Sequence, residues 1–198
     1  MVNNDKQLEI VYDHYKDTWT KIESCCKLRD KIFLYILFAL SLVCLGLFSN
    51  SEAESILSQL IANKLGLVAP LNISFVGSII WFGLLSLVIK YFQTVFIIEK
   101  YYPYLHNLEK QVDEACGKNI ITREGRTYLE NYPLFSAWTH FLYTILFPIL
   151  LFIVVTLKIS NELSYQWPIT PTTLFNFAAF LCLIISILLY LRLIHFKR

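Results

Sequence analysis

Four apolar runs, Ile32–Phe48, Ile73–Ile98, Leu134–Leu157 and Thr173–Leu191, constrain this chain more than any other feature. A hydrocarbon core of about 30 Å is crossed by roughly 20 helical residues rising about 1.5 Å each. The first run is the shortest, set between Lys31 and the Ser49, Asn50, Ser51 turn, and the second is the longest and contains Lys90. The third follows Pro133 and ends at Lys158, and the fourth is closed by Arg192. Composition points the same way: 56% of residues are hydrophobic and 16% charged, against about 25% charged in a soluble domain.

A cleaved signal peptide would place a short basic start directly before its apolar stretch. Here a long charged, amphipathic segment precedes Ile32, so the first run is expected to remain in the mature protein. Orientation follows from the basic residues. Fifteen of the 17 Lys and Arg lie before the first run, between the second and third (counting Lys90 at the edge), or after the fourth; Lys64 and Lys158 are the others. The positive-inside rule then puts both termini in the cytoplasm. The expected fold is all-α: a polytopic membrane protein with four transmembrane helices, N-in/C-in, and a small cytoplasmic helical layer. Its expected parts are a cytoplasmic amphipathic helix (1–31), a first span (32–50), an outer loop with an interfacial helix (51–72) and a second span extended into a stalk (73–98). A cytoplasmic helix and turn (99–133), a third span (134–157), an outer loop (158–172), a fourth span (173–192) and a short tail (193–198) complete it.

Lys90 falls where a helix counted inward from Ile73 reaches the cytoplasmic headgroups, and its long stem can snorkel there. Its sharper alternative is a pore mouth, where a ring of lysines in an oligomer would favour anions. Beyond it, Tyr91–Ile98 is too apolar to stand bare in water. Leu8, Val11, Tyr15, Trp19, Ile22 and Cys26 recur at helical steps and offer one cover. Leu105, Leu108, Val112 and Ala115 offer another, on a helix expected to start at Pro103 and stop at Gly117. Tyr15, Trp19, Ile22, Leu105, Leu108 and Val112 therefore either pack within the chain or bind a partner. Outside, Ser51 and Glu54 form a capping box before an apolar face that Gly66 ends, which describes an amphipathic helix at the outer membrane boundary or against the spans.

Motifs for chemistry are missing from the sequence. There is no GxSxG, phosphate loop or HExxH, the five cysteines lack zinc spacing, and no two of His14, His106, His140 and His195 have the i, i+4 spacing of a helical metal pair. No catalytic residue, metal or cofactor is expected. No carboxylate falls within any of the four expected spans, which speaks against a proton- or cation-coupled transporter. Pro148 is expected to kink the third span and Trp81 to pack, while Asn176 either makes a helix–helix hydrogen bond or is hydrated at the interface. Arg123 and Arg126 could contact anionic lipid or a phosphate, while Asp113, Glu114, Glu124 and Glu130 nearby argue against a nucleic-acid surface.

The segments YDHYKDTW (12–19), LRDKIFLYILF (28–38) and ITREGRTYLENYPLFSAWTHFLY (121–143) resemble those of small bacterial four-span proteins. In size and layout the chain is similar to membrane subunits of anti-phage defence systems, such as the Kiwa membrane subunit or four-transmembrane effectors. The resemblance implies a homo-oligomer of the bacterial inner membrane that senses or perturbs the lipid bilayer with a cytosolic protein partner. A passive anchor for a soluble protein and a small transporter are the alternatives.

Overall fold

The computed structural model describes residues 4–48, 73–117, 134–165 and 170–195, together with Ile56, Gln59, 62–64 and Gly66. Among them the regular structure is helical: α1 (Asn4–Phe48), α2 (Ile73–Cys116), α3 (Leu134–Phe141), a π-helical turn (Leu142–Leu146), α4 (Phe147–Tyr165) and α5 (Pro171–His195). Among the described residues, three helical stretches are long and apolar enough to cross a membrane: Val76–Cys116, Ala137–Ser164 and Pro171–Leu193.

The N-terminal amphipathic segment and the first apolar run form one helix of 45 residues. No glycine or proline falls between Asn4 and Leu45 to break it. Helix α2 is likewise unbroken over 44 residues and passes through Pro103, so no separate helix begins there. A proline inside a helix costs one hydrogen bond, here to the Glu99 carbonyl. Pro103 is exposed, which leaves that carbonyl open to water. The helix ends at Gly117, whose φ of 65° is left-handed and favours glycine. Each of these helices is about 66 Å long, well beyond the roughly 40–45 Å of a whole bilayer with its headgroups.

Pro148 acts one turn upstream of itself. It has no N–H for the Thr144 carbonyl and its ring crowds that turn, and Leu142–Leu146 widen into a π turn there. At the outer loop, Ile56, Gln59 and 62–64 are helical, and Gly66 (φ 68°) donates its N–H to the Asn63 carbonyl at 3.3 Å. The rest of the expected boundary helix lies outside the described residues.

The chain divides into two compact units. One comprises Met1–Lys31 with Tyr91–Phe141, and its core holds Ile22, Cys25, Tyr91, Phe92, Val95, Ile98, Leu105, Leu108 and Val112. The other comprises Ile32–Lys90 with Leu142–Arg198. Its buried residues form one narrow seam per helix at steps of three and four: Ile32, Ile36, Leu40 and Val43 on α1; Trp81, Leu84 and Val88 on α2. Phe147, Leu151, Val155 and Ile159 do the same on α4, and Ala179, Leu183, Ile187 and Tyr190 on α5. Phe33 sets its ring edge-on to Tyr143 and Phe147, at 4.8 and 4.9 Å, tying α1 to the π turn and α4. Outside these seams the helices stay apolar, with Phe38, Phe82, Ile153, Leu174, Ile185 and Leu189 exposed. A helix hydrophobic all round needs an apolar surrounding on its outer faces as well as its inner one.

Candidate functional site

Helix α4 does not stop at Lys158. It continues for nearly two turns to Tyr165, and Glu162 comes one step after the buried Val155 and Ile159 on the same side of the helix. Lys158 and Glu162 are one turn apart, with side chains only 18% and 10% exposed and Nζ 3.3 Å from Oε1. From α2, the buried Trp81 donates its ring N–H to the same oxygen at 3.2 Å. From α5, Asn176 donates Nδ2–H to Oε2 at 2.9 Å. One carboxylate thus ties three helices together.

The start of α5 is built to bring Asn176 there. Thr170 caps the helix: its carbonyl accepts the Leu174 N–H at 3.1 Å, and its hydroxyl oxygen accepts the Thr173 N–H at 3.3 Å. Pro171 takes the first helical position, where a missing N–H costs nothing. Thr173 is buried one turn before Asn176, as Ser78 is before Trp81. The Asn176 amide is itself buried, and its Oδ1 has no hydrogen-bond partner among the described residues.

The expected third span ended before Lys158; Glu162 lies beyond that point, on the apolar helical stretch Ala137–Ser164. Reading Lys158 as the end of the third span hid it; the signal that could have found it is the i, i+4 spacing of Lys158 and Glu162, which lets the two charges offset each other. Of the two alternatives for Asn176, the structure shows the interhelical bond, to Glu162. Trp81 packs as expected and also carries a donor to a charge.

The other candidates are scattered. Lys90 is exposed on α2, at the end of the first of its unit's two segments. Ile22, Leu105, Leu108 and Val112 are buried in the core of the other unit, and Tyr15 and Trp19 are half-buried. The four buried ones are therefore covered within the chain. Between them sits a second buried carboxylate that the apolar stripe concealed: Glu109, whose Oε2 lies 2.9 Å from His106 Nδ1 and whose Oε1 has no partner among the described residues. Arg123 and Arg126 lie outside the described residues. Among the described residues no three His, Cys, Asp or Glu side chains come together in a group that could hold a metal ion.

Two groups on α1 have shifted ionisation. Burial pushes the Cys26 thiol above its ordinary value, against the opposing pull of Arg29. Burial opposes the charge of Arg29, but its paired hydrogen bonds to Asp30, at 2.8 and 2.9 Å, and that carboxylate's charge outweigh it and raise its pKa. Comparison with known protein families, curated proteins and solved structures gives no match to this chain.

Proposed function

We propose that this chain is a multi-pass protein of the bacterial inner membrane, crossing it four times with both termini cytoplasmic. In this proposal it is a homo-oligomeric membrane sensor or pore-type effector that performs no enzymatic reaction and acts with a cytosolic protein partner. A place in anti-phage defence is what the resemblance of its layout adds. The observation that carries the proposal is the continuity of α1 and α2: each is longer than a bilayer is thick and contributes residues to both compact units. The basic residues supply the orientation, and the apolar outer faces of α4 and α5 supply the lipid contact. Lys90 is the candidate residue at the cytoplasmic pore mouth.

Reconstitution into liposomes tests the proposal. Ion flux that rises under membrane tension or on adding the cytosolic partner is expected. A soluble, detergent-free particle, or vesicles that stay tight under both stimuli, would sink it. Glu162 gives specific support to a second reading, a small transporter, because buried carboxylates in apolar spans mark ion and proton paths. Counterflow of a labelled cation without conductance would favour that reading over a pore.

A further inference from the structure

The contacts around Glu162 are unequal. Lys158 and Trp81 both address Oε1 from 3.3 and 3.2 Å, longer than the roughly 2.7–2.9 Å of a closed charge-assisted bond. Oε2 takes the Asn176 amide at 2.9 Å and, with two lone pairs, can accept once more. The amide oxygen of the same Asn176, a residue only 4% exposed, has no donor among the described residues. A buried acceptor in that state is costly to keep, and a low-dielectric surrounding raises the cost. A carboxylate oxygen and an amide oxygen, on two residues joined by that 2.9 Å bond, thus each have spare acceptor capacity.

We propose that Glu162 and Asn176 form a binding site for a monovalent alkali cation, and that the Lys158 ammonium is its tethered competitor. Carboxylate and amide oxygens are the ligands hard cations select. Charge decides the valence: Lys158 and Glu162 sum to zero, so exchanging the ammonium for another single positive charge preserves neutrality, whereas a divalent ion would leave an excess in an apolar span. Lys158 can make the exchange, because its flexible stem lets the ammonium swing toward solvent while the alkyl part stays packed. The proposal is independent of whether the chain conducts ions.

The test follows thermal unfolding of the full chain in detergent, in sodium or potassium chloride against N-methylglucamine chloride at equal ionic strength. The wild type is expected to gain stability in alkali chloride alone, and Lys158→Gln to gain it at lower concentration. If the ammonium occupies the carboxylate nine-tenths of the time, its removal lowers the half-saturating concentration about tenfold. Asn176→Leu in the Lys158→Gln background should abolish the alkali-specific gain. Equal midpoints in alkali and N-methylglucamine salts for Lys158→Gln would overturn the proposal and leave a water on the amide oxygen. Should the leucine variant fail to fold, binding of radioactive sodium to wild type and Lys158→Gln decides: tighter binding by Lys158→Gln supports the site, and equal or absent binding refutes it.

Discussion

Trp81 does two things that its sequence position separates poorly: it fills the seam of α2 with a large ring, and it turns that ring's N–H onto a charge on α4. Trp81→Phe keeps most of the ring and removes the donor. A hydrogen bond to a charged group contributes about 1.5–3 kcal/mol, and the 3.2 Å length places this one at the low end. A loss of about 1–2 kcal/mol is expected in a denaturant titration in detergent, while Phe82→Leu, on the exposed side of the same helix, should change stability by less than about 0.5 kcal/mol. Equal effects for the two would remove the donor role. Cys26 offers a pH test. Its folded pKa is raised, so folding favours the neutral thiol. That contribution is complete below the unfolded thiol pKa of about 8.5 and disappears as pH rises through the higher folded value. With the other four cysteines replaced by serine, alkylation of Cys26 should begin at higher pH in the folded protein than in the denatured chain. Coincident pH profiles would contradict a thiol raised by burial.

At the scale of the element, the π turn before α4 is the feature with a local cause that can be removed. Pro148→Ala returns an N–H to the Thr144 carbonyl and relieves the ring clash, so Leu142–Leu146 should tighten into ordinary α-helix. Spin labels at the exposed positions Phe135 and Phe152 bracket the turn. Their separation along the helix should grow by about one residue's rise, ~1.5 Å, and the two labels should rotate relative to each other. An unchanged distance distribution would mean that packing around the buried Thr144, and not the proline, holds the wide turn. Helix α2 gives the opposite case: Pro103 sits in a continuous helix and is exposed, so Pro103→Ala should add stability without changing the helix path.

For the whole molecule, orientation is the property on which the proposed role depends. In a cysteine-free background, a membrane-impermeant maleimide should label Lys64→Cys in intact cells, and Glu9→Cys and Lys110→Cys only after the membrane is opened. Labelling of Glu9→Cys from outside would invert or break the four-span arrangement. The same experiment bears on Ile32–Phe48: that run is short, and whether the far end of α1 crosses the bilayer sets the number of spans.

What was legible in the residues alone was what depends on neighbours along the chain. Apolar runs longer than a turn or two form helices in lipid wherever they occur, Gly117 and Gly66 stop them because glycine tolerates a left-handed φ, and Pro148 disturbs the turn that precedes it. The self-covering of Ile22, Leu105, Leu108 and Val112 was one of two outcomes that the stripes allowed, and only the folded chain chose between them. Glu162 was invisible as a site because its meaning lies in Trp81 and Asn176, on two other helices, and a helix end near Lys158 reads the same whether the next turn faces water or a seam. Burial and hydrogen-bond partnership are properties of three-dimensional neighbourhood; periodicity indicates which side of a helix is hidden, and tertiary packing alone decides which polar groups are hidden with it.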